Sequence, residues 1–164
     1  MPATDFVVPS TITEAVGVLG DDGTYLLGGG TALTLLMKTG MLEVSRLVWL
    51  GKISALRTIS ERNGALRIGS GVTLLEIAES PVVRRHCPSL ARAAGLAANV
   101  RVRAVATLGG HLVHADPRQD CPPALLASCA SVHLASSEGE RAMALDEFLV
   151  SLMETVITPT EVLT

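Results

Sequence analysis

Ala106-Thr107-Leu108-Gly109-Gly110-His111-Leu112-Val113-His114-Ala115-Asp116-Pro117-Arg118-Gln119-Asp120 sets small, polar and charged residues between two apolar helical segments, and the chain is organised around it. Gly109-Gly110 has no side chain to hold a ligand off the backbone, and Thr107, His111, Asp116 and Asp120 can supply hydrogen bonds around it. Its partner is an earlier run, Gly28-Gly29-Gly30-Thr31, placed between an apolar strand and an amphipathic helix. Two glycine-lined turns far apart in sequence predict one extended ligand.

Outward from these motifs the pattern is mixed. Thr11-Ile12-Thr13-Glu14 fits a capping box, and a helix is expected over about Thr13–Leu19, stopped by Gly20. Thr24–Leu27 reads as a buried strand that delivers the chain to Gly28. Leu33, Leu36 and Met37 have helical spacing, and Arg46–Leu50 is a second strand, so the opening predicts a small parallel βαβ unit. From Leu56 the character becomes antiparallel. Leu56–Ser60 and Ala65–Gly69 flank Asn63-Gly64, a strong hairpin signal. Thr73-Leu74-Leu75-Glu76 is a second capping box, opening a short helix before Pro81. Pro88–Ala98 predicts an Ala-rich helix, and Ala130–Ser136 with Arg141–Leu145 a strand pair. Asp146 is expected to cap a last helix, Glu147–Met153. The expected boundary lies near Gly51–Ser54, giving subdomains 1–53 and 54–164.

Composition narrows the function classes. Nearly half of the 164 residues are apolar, which excludes disorder, while Trp49, Tyr25, Phe6 and Phe148 are the only aromatic rings. The core must be aliphatic, and base-stacking platforms are missing. A net charge of −3 with interleaved signs also speaks against nucleic-acid or anionic-membrane binding. No stretch approaches the roughly 18 apolar residues of a membrane span, and the amino terminus lacks a basic-then-apolar signal, so the expectation is a cytoplasmic protein. Cys87, Cys121 and Cys129 form no Cys-x-x-Cys pair and read as reduced thiols, Cys121 and Cys129 as small buried hydrophobes.

Glycine turns between a strand and a helix bind phosphate through exposed amides, aided by the helix dipole, and Gly28-Gly29-Gly30-Thr31 fits that physics. It matches neither a Rossmann fingerprint nor a P-loop. His111, His114, Asp116 and Cys121 lack the fixed spacing of a metal site, so no metal is expected, and no Gly-x-Ser-x-Gly elbow supports a hydrolase. His86 reads as an exposed helix-end residue and His133 as a strand residue. Arg84-Arg85 and Arg101-Val102-Arg103 read as solvated faces or as a docking surface. Asp120 could merely cap the Pro122–Ser128 helix.

Leu26-Leu27-Gly28-Gly29-Gly30-Thr31-Ala32-Leu33 resembles the Ala-Gly-Gly-Thr-Asp-Leu turn of the FAD-binding subunit of the molybdenum hydroxylases, the xanthine dehydrogenase and carbon monoxide dehydrogenase family. Thr107-Leu108-Gly109-Gly110-His111 through Ala115-Asp116-Pro117 and Asp120 resembles that subunit's second flavin motif, Thr-Ile-Gly-Gly-Asn with Ala-Asp-Pro and a later Asp. The resemblance covers nearly the whole chain. It implies an α+β, two-subdomain FAD-binding fold of the PCMH type, with FAD extended in the cleft between subdomains. By resemblance, Leu27, Gly28, Gly29, Gly30 and Thr31 wrap the pyrophosphate. Thr107, Gly109, Gly110 and His111 continue toward the ribityl region, and Asp120 holds sugar or ribityl hydroxyls. Ala97 lies near the adenine, and Val156-Ile157 beside the isoalloxazine. The implied partners are an iron–sulfur subunit and a molybdopterin subunit, with NAD or another acceptor taking the electrons.

Ala32, His111, Arg101 and Ala104 depart from the family pattern, which has an acid, Asn, Gln and Asn at these positions. Where relatives continue into further flavin-domain sequence, this chain stops at Thr164, so the second subdomain is expected to be incomplete. The favoured reading is an electron-transfer flavoprotein subunit, an oxidoreductase component with no acid or base of its own. Two other readings stand beside it, a flavin-free scaffold or assembly protein derived from that subunit and a stand-alone flavin oxidase.

Overall fold

The computed structural model describes residues 4–164. Strand β1 (Asp5–Val7) and helix α1 (Ile12–Val16) lead to β2 (Thr24–Leu27), α2 (Leu33–Lys38) and β3 (Arg46–Trp49). The three strands form a parallel sheet in the order β1-β3-β2. The βαβ unit expected from the sequence is β2-α2-β3; β1 is an addition, too short and too exposed at Phe6 to show a period. Helix α1 is shorter than expected, giving way at Gly17 to single turns that carry the chain to Leu19. Thr11 does cap Glu14, but the Glu14 carboxylate reaches past it to the Ser10 amide (2.7 Å) and hydroxyl (2.8 Å).

Two 3₁₀ turns over Leu50–Lys52 and Ser54–Arg57 connect to the hairpin β4 (Ile59–Arg62) and β5 (Ala65–Ile68). Asn63 and Gly64 both have positive φ (54° and 76°), as a two-residue type I′ loop requires. The first hairpin strand begins later than expected because Leu56 is drawn into the core by the second 3₁₀ turn.

Helices α3 (Leu74–Glu79), α4 (Pro81–His86), α5 (Pro88–Leu96), α6 (Val100–Arg103), α7 (Leu108–His114) and α8 (Cys121–Leu126) follow. Thr73 opens α3 with the full capping box, its amide donating to Glu76 and its hydroxyl accepting the Glu76 amide. Pro81 is not only a stop. It occupies the first turn of α4, where its missing N–H costs nothing, behind a Ser80 cap. Helix α5 ends at Leu96, two residues short of the expected end, because Ala98 turns left-handed (φ 46°). Asn99 then starts α6 by accepting the amides of Arg101 and Val102.

Strands β6 (Ser131–Ser136) and β7 (Gly139–Ala144) pair antiparallel, and β10 (Val162–Leu163) adds to the other edge of β6. The expected last helix is corrected. Only Leu145–Phe148 (α9) is helical, and Asp146 does not cap it. Leu145 and Phe148 seat their side chains in the core, and the chain then leaves as a hairpin of β8 (Leu149–Ser151) and β9 (Glu154–Thr155). The architecture is α+β, with parallel sheet at the start and antiparallel hairpins and helices thereafter.

The larger core gathers Leu74, Ile77, Leu90, Leu112, Leu134 and Phe148; the smaller gathers Ala15, Val48, Ile53, Leu56 and Val162. Phe148 is the one aromatic ring in either, so the core is aliphatic as its composition dictates. Cys121 lies in the larger core, and burial pushes its thiol up to about 12. Cys129 is exposed, contrary to expectation, because it takes a left-handed turn (φ 50°) between α8 and β6. No helix among the described residues is long and apolar enough to cross a membrane.

Candidate functional site

The two glycine motifs touch. A Cβ on Gly28 would lie 2.7 Å from Thr107 Oγ1, and one on Gly29 would collide with the carbonyl of Val105. Only glycine lets the backbone of the first run pass under the second. The second run is itself placed by the segment before α3. Leu74 N donates to Ala106 O (2.9 Å) and Leu108 N to Val72 O (2.9 Å), laying Thr73 antiparallel to Thr107.

The sequence suggested two glycine turns, but the second is the start of a helix. Thr107 caps α7, its hydroxyl accepting the Gly110 amide at 3.1 Å. The Gly109 amide donates to Ser70 O (2.8 Å), and a Cβ there would sit 2.6 Å from Ser70 Cβ. Gly109 and Gly110 therefore supply close approach, and their amides are already engaged. The first run is the opposite. Gly30 is left-handed (φ 71°), and no hydrogen bond among the described residues engages the amides of Gly29, Gly30 or Thr31. Leu27 and Gly28 to Gly30 are half-buried, and Thr31 is exposed.

One turn of α7 beyond Thr107 lies His111, the wall of a cleft of about 320 Å³. Ala97 and Ala98 form its apolar side, and Asp116, Arg118, Gln119 and Asp120 its polar side. His111 Nδ1 and Gln119 Oε1 are buried without a partner among the described residues. Such orphaned atoms are costly and mark a place where a ligand's polar groups fit. Burial lowers the His111 pKa, with His114 adding to the effect against Asp120 and Asp116, so the site disfavours the imidazolium form.

The two aspartates differ. Asp116 is clasped by its neighbour Arg118, whose Nη2 donates at 2.6 Å and whose amide donates at 2.9 Å; this holds the Asp116 carboxyl far below the usual range. Its lone pairs serve the loop. Asp120 stands at the start of α8 but makes no capping bond, and no hydrogen bond among the described residues uses its carboxylate. Ile157 is half-buried against the larger core and does not line this cleft. His86 lies at the end of α4, 2.8 Å from Glu61, and His133 on β6. Gln119, Ala98 and Arg118 were not singled out in the sequence; nothing in their local pattern distinguishes them from loop residues.

A profile of the family described as "FAD binding domain in molybdopterin dehydrogenase" matches residues 2–164. The carbon monoxide dehydrogenase medium chain of Hydrogenophaga pseudoflava is 32% identical over 164 residues, 99% of this chain and 57% of that protein. A putative xanthine dehydrogenase FAD-binding subunit of Escherichia coli K12 is 30% identical over 141 residues, 85% of this chain and 48% of that protein. Among solved structures, quinoline 2-oxidoreductase from Pseudomonas putida 86 superposes with a TM-score of 0.95 at 32% identity, covering 99% of this chain and 57% of that one. The chain thus spans about half the length of these relatives.

Proposed function

Because this chain belongs to the family of FAD-binding domains of molybdopterin dehydrogenases, we propose that it holds FAD across the junction of its two glycine motifs and serves as the electron-transfer flavoprotein part of a multi-subunit molybdenum hydroxylase. The observation that carries this reading is the junction itself. Gly28 and Gly29 lie against Val105–Thr107, beside an open row of amides and one helical turn from a cleft with two orphaned polar atoms. The residues present fit the cofactor. Amides of Gly29, Gly30 and Thr31 would receive the pyrophosphate, and the bare surfaces of Gly28 and Gly110 would let it approach. Asp120 would accept from sugar or ribityl hydroxyls. His111 and Gln119 would gain the partners they lack, Ala97 would face the adenine, and Ile157 the isoalloxazine.

When bound, FAD supplies the redox chemistry, accepting and passing on electrons. The chain's own residues bind and orient, and none is required as a general acid or base. An iron–sulfur subunit and a molybdopterin subunit would complete the complex, with NAD or another acceptor downstream. Subdomains over 1–53 and 54–164 would form the two sides of the flavin site. Ala32 and His111, in place of the family's acid and Asn, favour a second reading, a flavin-free assembly protein. A visible absorption spectrum of the chain titrated with FAD separates the two. Bound flavin, weakened by both Gly110→Val and Asp120→Ala, is the expected result. No binding at high FAD by an intact, folded chain would overturn the flavoprotein reading.

A further inference from the structure

Residues 80–115 contain five arginines, Arg84, Arg85, Arg92, Arg101 and Arg103, and no Asp or Glu, in a chain whose net charge is −3. None of the ion pairs among the described residues uses any of the five. Positive charge is thus concentrated on α4, α5 and α6 while the rest of the molecule is acidic. Arg84, Arg92 and Arg103 line a groove of about 540 Å³ whose floor includes Leu75, Ala78 and Ala91. Glu79 is the single carboxylate on its rim.

Two of the guanidinium groups are held in place by backbone carbonyls. Arg84 Nε donates to Ala78 O (2.9 Å), and Arg103 Nη1 donates to Ala97 O (3.0 Å) and Ala98 O (2.8 Å). Their remaining guanidinium nitrogens, and the whole guanidinium of Arg92, take part in no ion pair among the described residues. Fixed guanidinium groups over an apolar floor suit carboxylates backed by aliphatic side chains. Beyond the groove, Leu96 and Val100 are 68% and 55% exposed, extending an apolar margin. No Phe, Tyr or Trp lies between residues 80 and 115, so the large rings on which nucleic-acid bases stack are missing.

We propose that this groove docks an acidic, partly apolar segment of a protein partner. Resting on the function proposed above, that partner is another subunit of the same dehydrogenase. Arg103 joins the groove to the cofactor cleft, since the Ala97 and Ala98 carbonyls it holds belong to residues that also wall the cleft. The partner would therefore seat directly behind the flavin site.

The test is residue-resolved modification by phenylglyoxal, read by mass spectrometry, on the chain alone and on the complex purified from its own host. Arg84 and Arg92 should be protected in the complex, while Arg62 and Arg67 on the β4–β5 hairpin react equally in both. Arg92→Glu, at an exposed side chain without hydrogen bonds, should weaken partner retention roughly tenfold, with Arg92→Lys restoring it and FAD content unchanged. Equal reactivity of the groove arginines, no partner purifying with the chain, or retention indifferent to Arg92→Glu would each overturn the proposal. So would binding of phosphatidylserine vesicles or single-stranded DNA in the partner's stead. A chain that keeps its partner but carries no FAD would overturn the flavoprotein reading and leave the groove standing.

Discussion

The glycine run at 28–30 and the glycine pair at 109–110 look alike as sequence and behave as opposites. In the second, every amide from Leu108 to His111 has a backbone or side-chain acceptor, Gly109 is wedged against Ser70, and Leu108 and Leu112 anchor the helix in the core. In the first, three successive amides have no acceptor among the described residues, and the helix that follows, α2, contains no fully buried residue. Glycine at 109 and at 29 both permit close approach, but only at 29 and 30 are the amides left without an acceptor among the described residues. In the proposed flavin site, one half has its amides paired within the protein and the other has amides that await a partner.

The sharpest way to break that contrast is a paired substitution to alanine. Gly109→Ala forces a Cβ into Ser70 and should cost about 2 kcal/mol of stability, lowering the melting temperature by roughly 5 °C. Gly29→Ala drives its Cβ into the backbone of Val105 and Ala106, so the first run must move away from the second and stability should fall at least as far as for Gly109→Ala. It should also lower FAD affinity by about a hundredfold, because it displaces the unpaired amides, whereas Gly109→Ala leaves them in place. Calorimetry and flavin titration on both variants would read this, and equal losses of FAD affinity would erase the distinction. Thr107→Ala removes the α7 cap and the contact with Gly28, so a loss of about 1 kcal/mol is expected in chemical denaturation, with Thr107→Ser close to wild type.

Asp120→Ala should separate binding from folding. The carboxylate caps nothing, so flavin affinity should fall about tenfold with an unchanged denaturation midpoint. The smallest effect concerns His111, whose pKa is lowered in the folded protein by burial and by His114. The unfolded chain takes up this proton more readily than the folded one, so stability should decline as pH falls below the ordinary histidine value near 6.5. The slope is bounded by one proton, about 1.4 kcal/mol per pH unit, and His111→Asn should remove it from a series of melts between pH 8 and 5.

Much of the frame was legible. Asn63-Gly64 specifies its own turn, Thr73 and Glu76 cap each other, and both glycine motifs stand out without any neighbour's help. What escaped had physical reasons. Helix α6 spans four residues and β1 three, too few to show a period, although Ser80 and Asn99 were readable caps for α4 and α6. Residues 147–153 read as helix from local pattern, but the β8–β9 pairing overrides it, and the Met153 amide ties that hairpin to Ala115 at the end of α7. The roles of Gly109 and Gln119 depend on what lies opposite, Ser70 in one case and an open cleft in the other; spacing along the chain does not encode that.

Val162 has a temporal meaning. It pairs through β10 with β6, yet its side chain completes the small core formed by Ala15, Val48, Ile53 and Leu56. The interior of the opening strands thus borrows a side chain from a distant part of the chain, and contacts of such long sequence separation form slowly because a large loop must close first. Cooperativity between the parallel sheet and the later antiparallel sheet is built into one shared valine.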